Sequence, residues 1–143
     1  MPRSSVFRAR GFTLLELLVV VSLIAIATAG VSFAIRDSAD ALVEREAQRL
    51  AALLDTARAR SRTLGMPVYW RPVPRGFRFD GLQPGVLPET WLHEETITSA
   101  ATVLVLGPEP ILARQAVVVE LQGKALRVVT DGVRPFAVEP VTP

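Results

Sequence analysis

The chain has 143 residues, of which 50% are hydrophobic and 21% charged, so its length allows one modest domain with an appendage. The absence of cysteine excludes disulfides, thiolate metal sites and thiol nucleophiles. The net charge of +2 includes Arg3, Arg8 and Arg10, which precede a long apolar run. Without these three, 13 basic residues face 14 acidic residues, so the charge predicts no general affinity for nucleic acid.

The N-terminal region is a short basic leader, followed by an uncharged segment over Leu17–Ile35. This order is typical of a secretory signal peptide. However, the run of about 19 residues suffices, as a helix, to cross a hydrocarbon core of about 30 Å. No small-x-small cleavage site follows it, and the change in character falls before it, at Gly11-Phe12. The length of the run and the missing cleavage site favour a membrane helix over a secretory signal peptide.

Glu16 is an acidic residue close to the start of this apolar segment. A carboxylate forced to the bilayer centre costs about 2.5–3.5 kcal/mol, although Glu16 is near enough to Phe12 to lie towards the interface. A residue kept at such a cost usually has a partner of opposite charge. The alternative is a simple membrane anchor with a tolerated interfacial glutamate.

The stretch Gly11-Phe12-Thr13-Leu14-Leu15-Glu16, between a basic leader and an apolar run, resembles the signature shared by type IV pilins and type II secretion pseudopilins. The resemblance implies that a prepilin peptidase cuts between Gly11 and Phe12 and N-methylates Phe12. It implies that the leader stays cytoplasmic, as the positive-inside rule also predicts, and that the remainder enters the periplasm. During assembly, Glu16 is then expected to pair with the Phe12 amine of a neighbouring subunit.

Beyond Arg36 the pattern becomes amphipathic, which predicts a nearly continuous helix from about Phe12 to Leu64, ended by Gly65. The charged residues Arg45, Glu46, Arg49 and Arg58 are expected mostly on the other faces, where acidic and basic side chains offer weak local ion pairs. The expected apolar face consists of Ala39, Leu42, Val43, Ala47, Leu50, Leu53, Leu54, Ala57 and Leu64.

From Val68 onward, short alternating segments typical of strands replace the helical periodicity. Ala116–Leu121 and Ala125–Thr130, which flank Gln122-Gly123-Lys124, predict the clearest hairpin. The stretch from Asp80 to Ile97 contains several prolines and glycines and predicts a long loop. The other predicted strands are Val68–Arg71, Gly76–Phe79, Thr102–Leu106 and Phe136–Val138.

A second resemblance involves the C-terminal strands. The segment Gly123–Phe136, together with Ala57–Arg60 and Gly76–Phe79, resembles the GspH/FimT family of minor pseudopilins and pilins. It implies an α+β, pilin-like fold, in which a long N-terminal helix packs on a C-terminal antiparallel β-sheet domain. The chain then divides into a cleaved leader (1–11), a transmembrane and assembly helix (12–36), an amphipathic helix (37–65) and a periplasmic β-rich domain (66–143).

The function that this resemblance implies is that of a GspH-type minor pseudopilin, placed near the tip of the periplasmic pseudopilus that drives type II protein secretion. Its expected partners are the prepilin peptidase, the other major and minor pseudopilins and the inner-membrane assembly platform, with secreted cargo or the secretin as further contacts. It would cross the bacterial inner membrane once. Two alternatives stay open: a FimT-like type IV minor pilin for pilus assembly or DNA uptake, and a plain membrane anchor carrying a small β domain.

The sequence offers little for catalysis or cofactor binding. The sole histidine, His93, stands beside Glu94 and Glu95, but a metal site needs at least three converging ligands. There is no glycine-rich phosphate loop, and no serine with a plausible His–Asp partner beyond this histidine. We therefore expect no catalytic residue, no cofactor and no metal site.

A group of arginines with aromatic residues between them is the one candidate surface for nucleic acid. Arg58, Arg60 and Arg62 alternate along a helix and should therefore fan out, so we expect a solvated face or subunit salt bridges and no DNA binding. The other arginines of the group are Arg71, Arg75 and Arg78, and the aromatic residues between them are Tyr69, Trp70 and Phe77. Core packing in a small sheet is expected of Trp70, Phe77, Phe79 and Trp91.

Overall fold

The computed structural model describes residues 13–99 and 102–141, with the backbone alone at residues 29–38. The chain divides into two compact units, Met1–Asp37 and Ser38–Pro143. One long helix, α1 (Leu14–Leu64), begins in the first unit and ends in the second. The strands of the described residues are β1 (Tyr69–Val73), β2 (Gly76–Asp80), β3 (Ile97–Thr98), β4 (Leu104–Val105), β5 (Gln115–Leu121), β6 (Lys124–Thr130) and β7 (Ala137–Pro140).

The C-terminal end of α1 confirms the prediction, because the backbone turns at Gly65. This glycine has a φ of +64°, in the left-handed region that ends many helices. The Met66 N–H then donates to the Ser61 carbonyl at 3.3 Å, and the Ser61 hydroxyl donates to the Met66 carbonyl at 2.6 Å. These two bonds satisfy groups that the end of a helix would otherwise leave unpaired.

The strands form two antiparallel sheets in the second unit, with the orders β2-β1-β4 and β3-β5-β6-β7. The predicted hairpin is confirmed as β5–β6, which runs in register from Gln115 opposite Thr130 to Leu121 opposite Lys124. Its turn residues, Gln122 and Gly123, both have positive φ, as a two-residue hairpin turn of the primed type requires. The predicted loop from Asp80 to Ile97 is irregular, apart from a bridge between Gly76 and Thr90 and the start of β3 at Ile97.

One apolar core holds α1 from Ala39 onward against both sheets, which confirms the predicted α+β architecture. Trp70 and Phe77 are fully buried, and the Phe77 ring lies 5.9 Å from Trp70, 5.8 Å from Phe79 and 4.6 Å from Trp91. The predicted core packing of Trp70, Phe77, Phe79 and Trp91 is therefore confirmed. On the helix, Leu64 is 58% exposed, so its predicted place in the apolar face is wrong.

Glu46 and Arg58 were predicted on the faces of α1 that point away from the core. This prediction is wrong for both residues, because they are buried, with 1% and 4% of their surface exposed. Twelve residues separate them, about 120° around the helix, so they meet different loops between strands. Glu46 Oε1 accepts bonds from the Leu92 N–H at 2.7 Å and the Thr96 hydroxyl at 3.2 Å, and a longer one from the His93 N–H at 3.4 Å. The buried carboxylate therefore fixes the loop before β3.

Arg58 fixes the loops on either side of the β5–β6 hairpin. Its guanidinium donates to the carbonyls of Arg134 at 3.2 Å, Pro110 at 3.4 Å and Gly132. Burial lowers the pKa of Arg58, and the charge of Arg62 adds to this, but a guanidinium stays protonated at any ordinary pH. A Cβ at Gly132 would lie 1.8 Å from the Leu112 carbonyl oxygen, so only glycine fits where these loops meet.

The predicted local ion pairs along α1 do not form among the described side chains. The ion pair that α1 makes there joins Asp40 to Lys124 of β6, at 2.9 Å. Glu44 instead accepts a bond from the Gln48 amide at 2.9 Å. The helix charges are therefore committed to the sheet and the loops, or are left to solvent.

Arg58→Met should lower the free energy of unfolding by about 3 kcal/mol, because it leaves three loop carbonyls without their shared donor. Arg60→Met, two residues further along and exposed, is the matched control and should change it by less than about 0.5 kcal/mol. Urea unfolding of the full chain in detergent, followed by tryptophan fluorescence, measures both. Equal stability of the two variants would contradict the role given to Arg58.

Candidate functional site: the N-terminal helix

The predicted processing residues, Gly11 and Phe12, lie outside the described residues, so their roles stay predictions. Thr13 is the first residue that the structure describes, and α1 begins immediately after it. The Thr13 hydroxyl accepts the Glu16 N–H at 3.2 Å, and the Thr13 carbonyl accepts the Leu17 N–H at 3.2 Å. This pair of bonds makes Thr13 the N-cap of α1.

The cap places Glu16 at the third position of the helix, and the spacing Thr13-Leu14-Leu15-Glu16 is that of a capping box. A carboxylate at this position interacts favourably with the positive end of the helix dipole. The Glu16 side chain is exposed in the isolated chain. Glu16 thus has a favourable place within its own helix and remains open to a partner. The sequence analysis noted its cost in the membrane but missed the cap, although the Thr-x-x-Glu spacing signals it.

The described side chains that follow, up to Thr28, form an exposed apolar surface all round the helix. The large ones are 42–82% exposed, and they are Leu14, Leu15, Leu17, Leu18, Val19, Val20, Val21, Leu23, Ile24 and Ile26. So large a continuous apolar surface marks contact with lipid or with another protein.

Polar side chains inside this stretch satisfy their hydrogen bonds within the helix. The Ser22 hydroxyl donates to the Leu18 carbonyl at 2.8 Å, and the Thr28 hydroxyl lies 3.0 Å and 2.9 Å from the Ile24 and Ala25 carbonyls. An unsatisfied hydroxyl in hydrocarbon is costly, whereas bonds back to the helix remove that cost. The surface can therefore be surrounded by apolar groups on every side. No helix among the described residues is long and apolar enough to cross a membrane, so the predicted span over residues 12–36 stays a prediction.

Three of the six candidate arginines are engaged in contacts within the second unit. Arg58 is buried, Arg62 donates to the Pro110 carbonyl at 3.0 Å, and Arg71 pairs with Asp80 at 2.5 Å. Of the aromatic residues between the arginines, only Tyr69 is exposed, at 39%. Bases that stack on a protein need exposed rings, and these positions supply one such ring.

His93 lies in the loop that Glu46 fixes, and its backbone N–H contributes to that contact. Among residues 13–99 and 102–141, no three His, Asp or Glu side chains converge in a way that could hold a metal ion. Glu94 and Glu95 are both exposed, next to His93 in the sequence. The structure therefore gives this segment a structural role through its backbone.

Comparison with known protein families gives a match to the prokaryotic N-terminal methylation motif over residues 7–32. This motif is found in type IV prepilin-like proteins and indicates a pilin-like, membrane-anchored protein in general terms. It includes Gly11, Phe12, Thr13 and Glu16. Comparisons with curated proteins and with solved structures give no match. The GspH/FimT assignment remains a prediction.

Replacing the cap should loosen the first turn of α1. Thr13→Val keeps the shape of the side chain but removes its acceptor, at a cost of about 1 kcal/mol, so the Glu16 amide should exchange its proton about fivefold faster. Thr13→Ser keeps an acceptor and should exchange like the parent chain. Amide exchange of the full chain in detergent micelles, followed by NMR, measures this. Unchanged exchange in Thr13→Val would show that the hydroxyl does not cap the helix.

Proposed function

We propose that this chain is a minor pseudopilin of the type II secretion system, cut by a prepilin peptidase and assembled near the tip of a periplasmic pseudopilus. The observation that carries the proposal is a methylation motif over residues 7–32 on a helix whose described apolar side chains have no cover in the isolated chain. Such a helix needs lipid before assembly and other helices afterwards.

The chemistry of the N-terminus supports a transfer between these two surroundings. Cleavage between Gly11 and Phe12 creates a cationic amine four residues before Glu16. A carboxylate leaving water for a filament core is costly when alone and acceptable when a cation meets it. We infer that Glu16 accepts the Phe12 amine of a neighbouring subunit. Its place in the first turn, where the helix dipole also favours negative charge, makes the carboxylate tolerable before that partner arrives.

In the part of the second unit that the structure describes, the buried charges and large rings serve the fold. Glu46 and Arg58 use their charges to fix loops, and the large aromatic residues fill the core. The assignment to secretion rests on the resemblance of Gly123–Phe136, with Ala57–Arg60 and Gly76–Phe79, to the GspH/FimT family. Deleting the chain in its own cells should abolish type II secretion and leave DNA uptake intact. The reverse result would favour the FimT-like alternative.

Glu16→Gln should leave cleavage intact and lower incorporation into sheared filaments by at least about tenfold, because the amine then meets no charge when it is buried. Val20→Ala, on the same apolar surface, changes no charge and is the matched control. Intact mass of the membrane-extracted chain reports cleavage, and immunoblotting of the sheared fraction reports incorporation. Normal incorporation of Glu16→Gln would remove the basis for the pairing.

Gly11→Glu should block processing, since a bulky charged side chain then stands at the cut. Ala9→Glu adds the same charge two residues upstream and should still be processed. Intact mass distinguishes the full-length chain from one that begins at Phe12 and carries an N-methyl group. If the unmodified parent chain itself kept residues 1–11, the plain membrane anchor would be the correct alternative.

A further inference from the structure

Two adjoining loops of the second unit each expose a large aliphatic side chain. Ile111 lies in the loop before β5 and Val133 in the loop after β6, and they are 69% and 65% exposed. No other large apolar residue described in the second unit is as exposed. The Leu112 N–H donates to the Gly132 carbonyl at 3.1 Å, so the two loops are in backbone contact. We term Ile111 and Val133 the apolar pair.

The loop at Ile111 is fixed on both sides of this residue. The Pro110 carbonyl accepts bonds from Arg58 at 3.4 Å and from Arg62 at 3.0 Å. On the other side, Leu112 is buried and bonded to the second loop. The backbone of Ile111 is therefore held between two anchored neighbours, while its side chain is left in solvent.

The loop at Val133 is fixed by the side chains of Asp131 and Thr130. Asp131 Oδ1 accepts the Val133 N–H at 2.9 Å and the Arg134 N–H at 2.8 Å, as in an Asx turn. The Thr130 hydroxyl donates to the Arg134 carbonyl at 2.9 Å and accepts the Gly132 N–H at 3.0 Å. The Val133 side chain is thus carried by a turn whose backbone is bonded on both sides.

Folding does not account for an exposed apolar pair at these positions. Exposed side chains contribute little to stability, and single ones are common on protein surfaces. Here, however, two of them lie on adjoining loops, and the backbone of each is fixed in the isolated chain. Side chains that are already ordered lose little conformational freedom on binding, and loops on a rigid scaffold often carry recognition. The apolar pair is therefore suited to contact with a partner.

The charge around the apolar pair is mainly positive. Arg62 donates to a neutral carbonyl, and Arg114 has no ion-pair partner among the described residues. Arg114 also lines, together with Arg134, a groove of about 580 Å³ beside β5, β6 and β7. Arg134 pairs with Asp131 at 2.7 Å, so these two charges balance, and Glu109 is the other exposed carboxylate of the two loops. This excess of arginine favours carboxylates on the partner.

We propose that Ile111 and Val133 insert into an apolar socket of a second, different protein, and that carboxylates at the rim of the socket meet Arg62 and Arg114. A lipid surface fits less well, because Glu109 lies two residues before Ile111 and would face anionic headgroups. This contact deepens the proposed function and rests on it for its setting: it gives a tip subunit a binding surface that does not use the N-terminal helix.

A photo-reactive amino acid at Ala113, which is exposed two residues after Ile111, tests the contact in the full chain in its own cells. We expect a cross-link to one partner protein, in a segment that mass spectrometry shows to contain a carboxylate. Ile111→Ser or Val133→Ser should lower the yield about tenfold, whereas Ile111→Leu should keep it. Ile97→Ser removes an aliphatic side chain on β3 that is 58% exposed, and this matched control should leave the yield unchanged.

Charge reversal tests the rim of the socket. Arg114→Glu should lower the yield about tenfold, and replacing the mapped partner carboxylate with arginine should restore it. Urea unfolding of these variants should match that of the parent chain, because the changed side chains are exposed. Adducts to lipid, or to another copy of this chain alone, would overturn the proposal. So would a yield that none of these substitutions lowers, or the absence of any cross-link.

Deleting the chain separates this contact from the proposed function. If deletion abolishes type II secretion but Ala113 gives no cross-link, only the docking is contradicted. If the cross-link shows the expected dependence in cells whose secretion survives the deletion, only the proposed function is contradicted.

Discussion

The buried guanidinium of Arg58 holds together parts of the second unit that the core alone would leave apart. It reaches from α1 to carbonyls on both sides of the β5–β6 hairpin, at Pro110 and at Gly132 and Arg134. Three acceptors around one planar cation fix direction as well as distance, which apolar packing does not. Glu46 plays the corresponding part for the loop before β3, with a carboxylate that accepts backbone N–H groups. One helix thus sets the positions of three separate loops that adjoin strands of the four-stranded sheet.

The same helix follows a different rule in its first part. Between Leu14 and Thr28 its polar groups are satisfied internally, by the Thr13 cap at the start and by hydroxyl bonds to carbonyls further on. Nothing on that surface requires water, so lipid and other apolar helices are both suitable surroundings. Glu16 is the exception, because its exposed carboxylate carries a charge that apolar surroundings alone do not balance.

Charge therefore differs in its surroundings along α1. At Glu16 it is exposed in the first turn of the helix, whereas at Glu46 and Arg58 it is buried in the second unit and bonded to loops. Exposed ion pairs such as Asp40–Lys124 contribute little to stability, so the buried charges matter more for the fold.

The sequence by itself determined the features that depend on local order along the chain. The periodicity of α1, its end at Gly65, the β5–β6 hairpin and the processing motif all follow from neighbouring residues, and the signature of the motif needs no fold to be read. Only the tertiary structure decided the fate of Glu46 and Arg58. Helical spacing gives the face on which a charge lies, but burial depends on loops some 46 to 76 residues away, whose backbone groups must turn towards it. A groove beside Asp55, between α1 and strands β6 and β7, likewise exists only because these strands fold back along the helix.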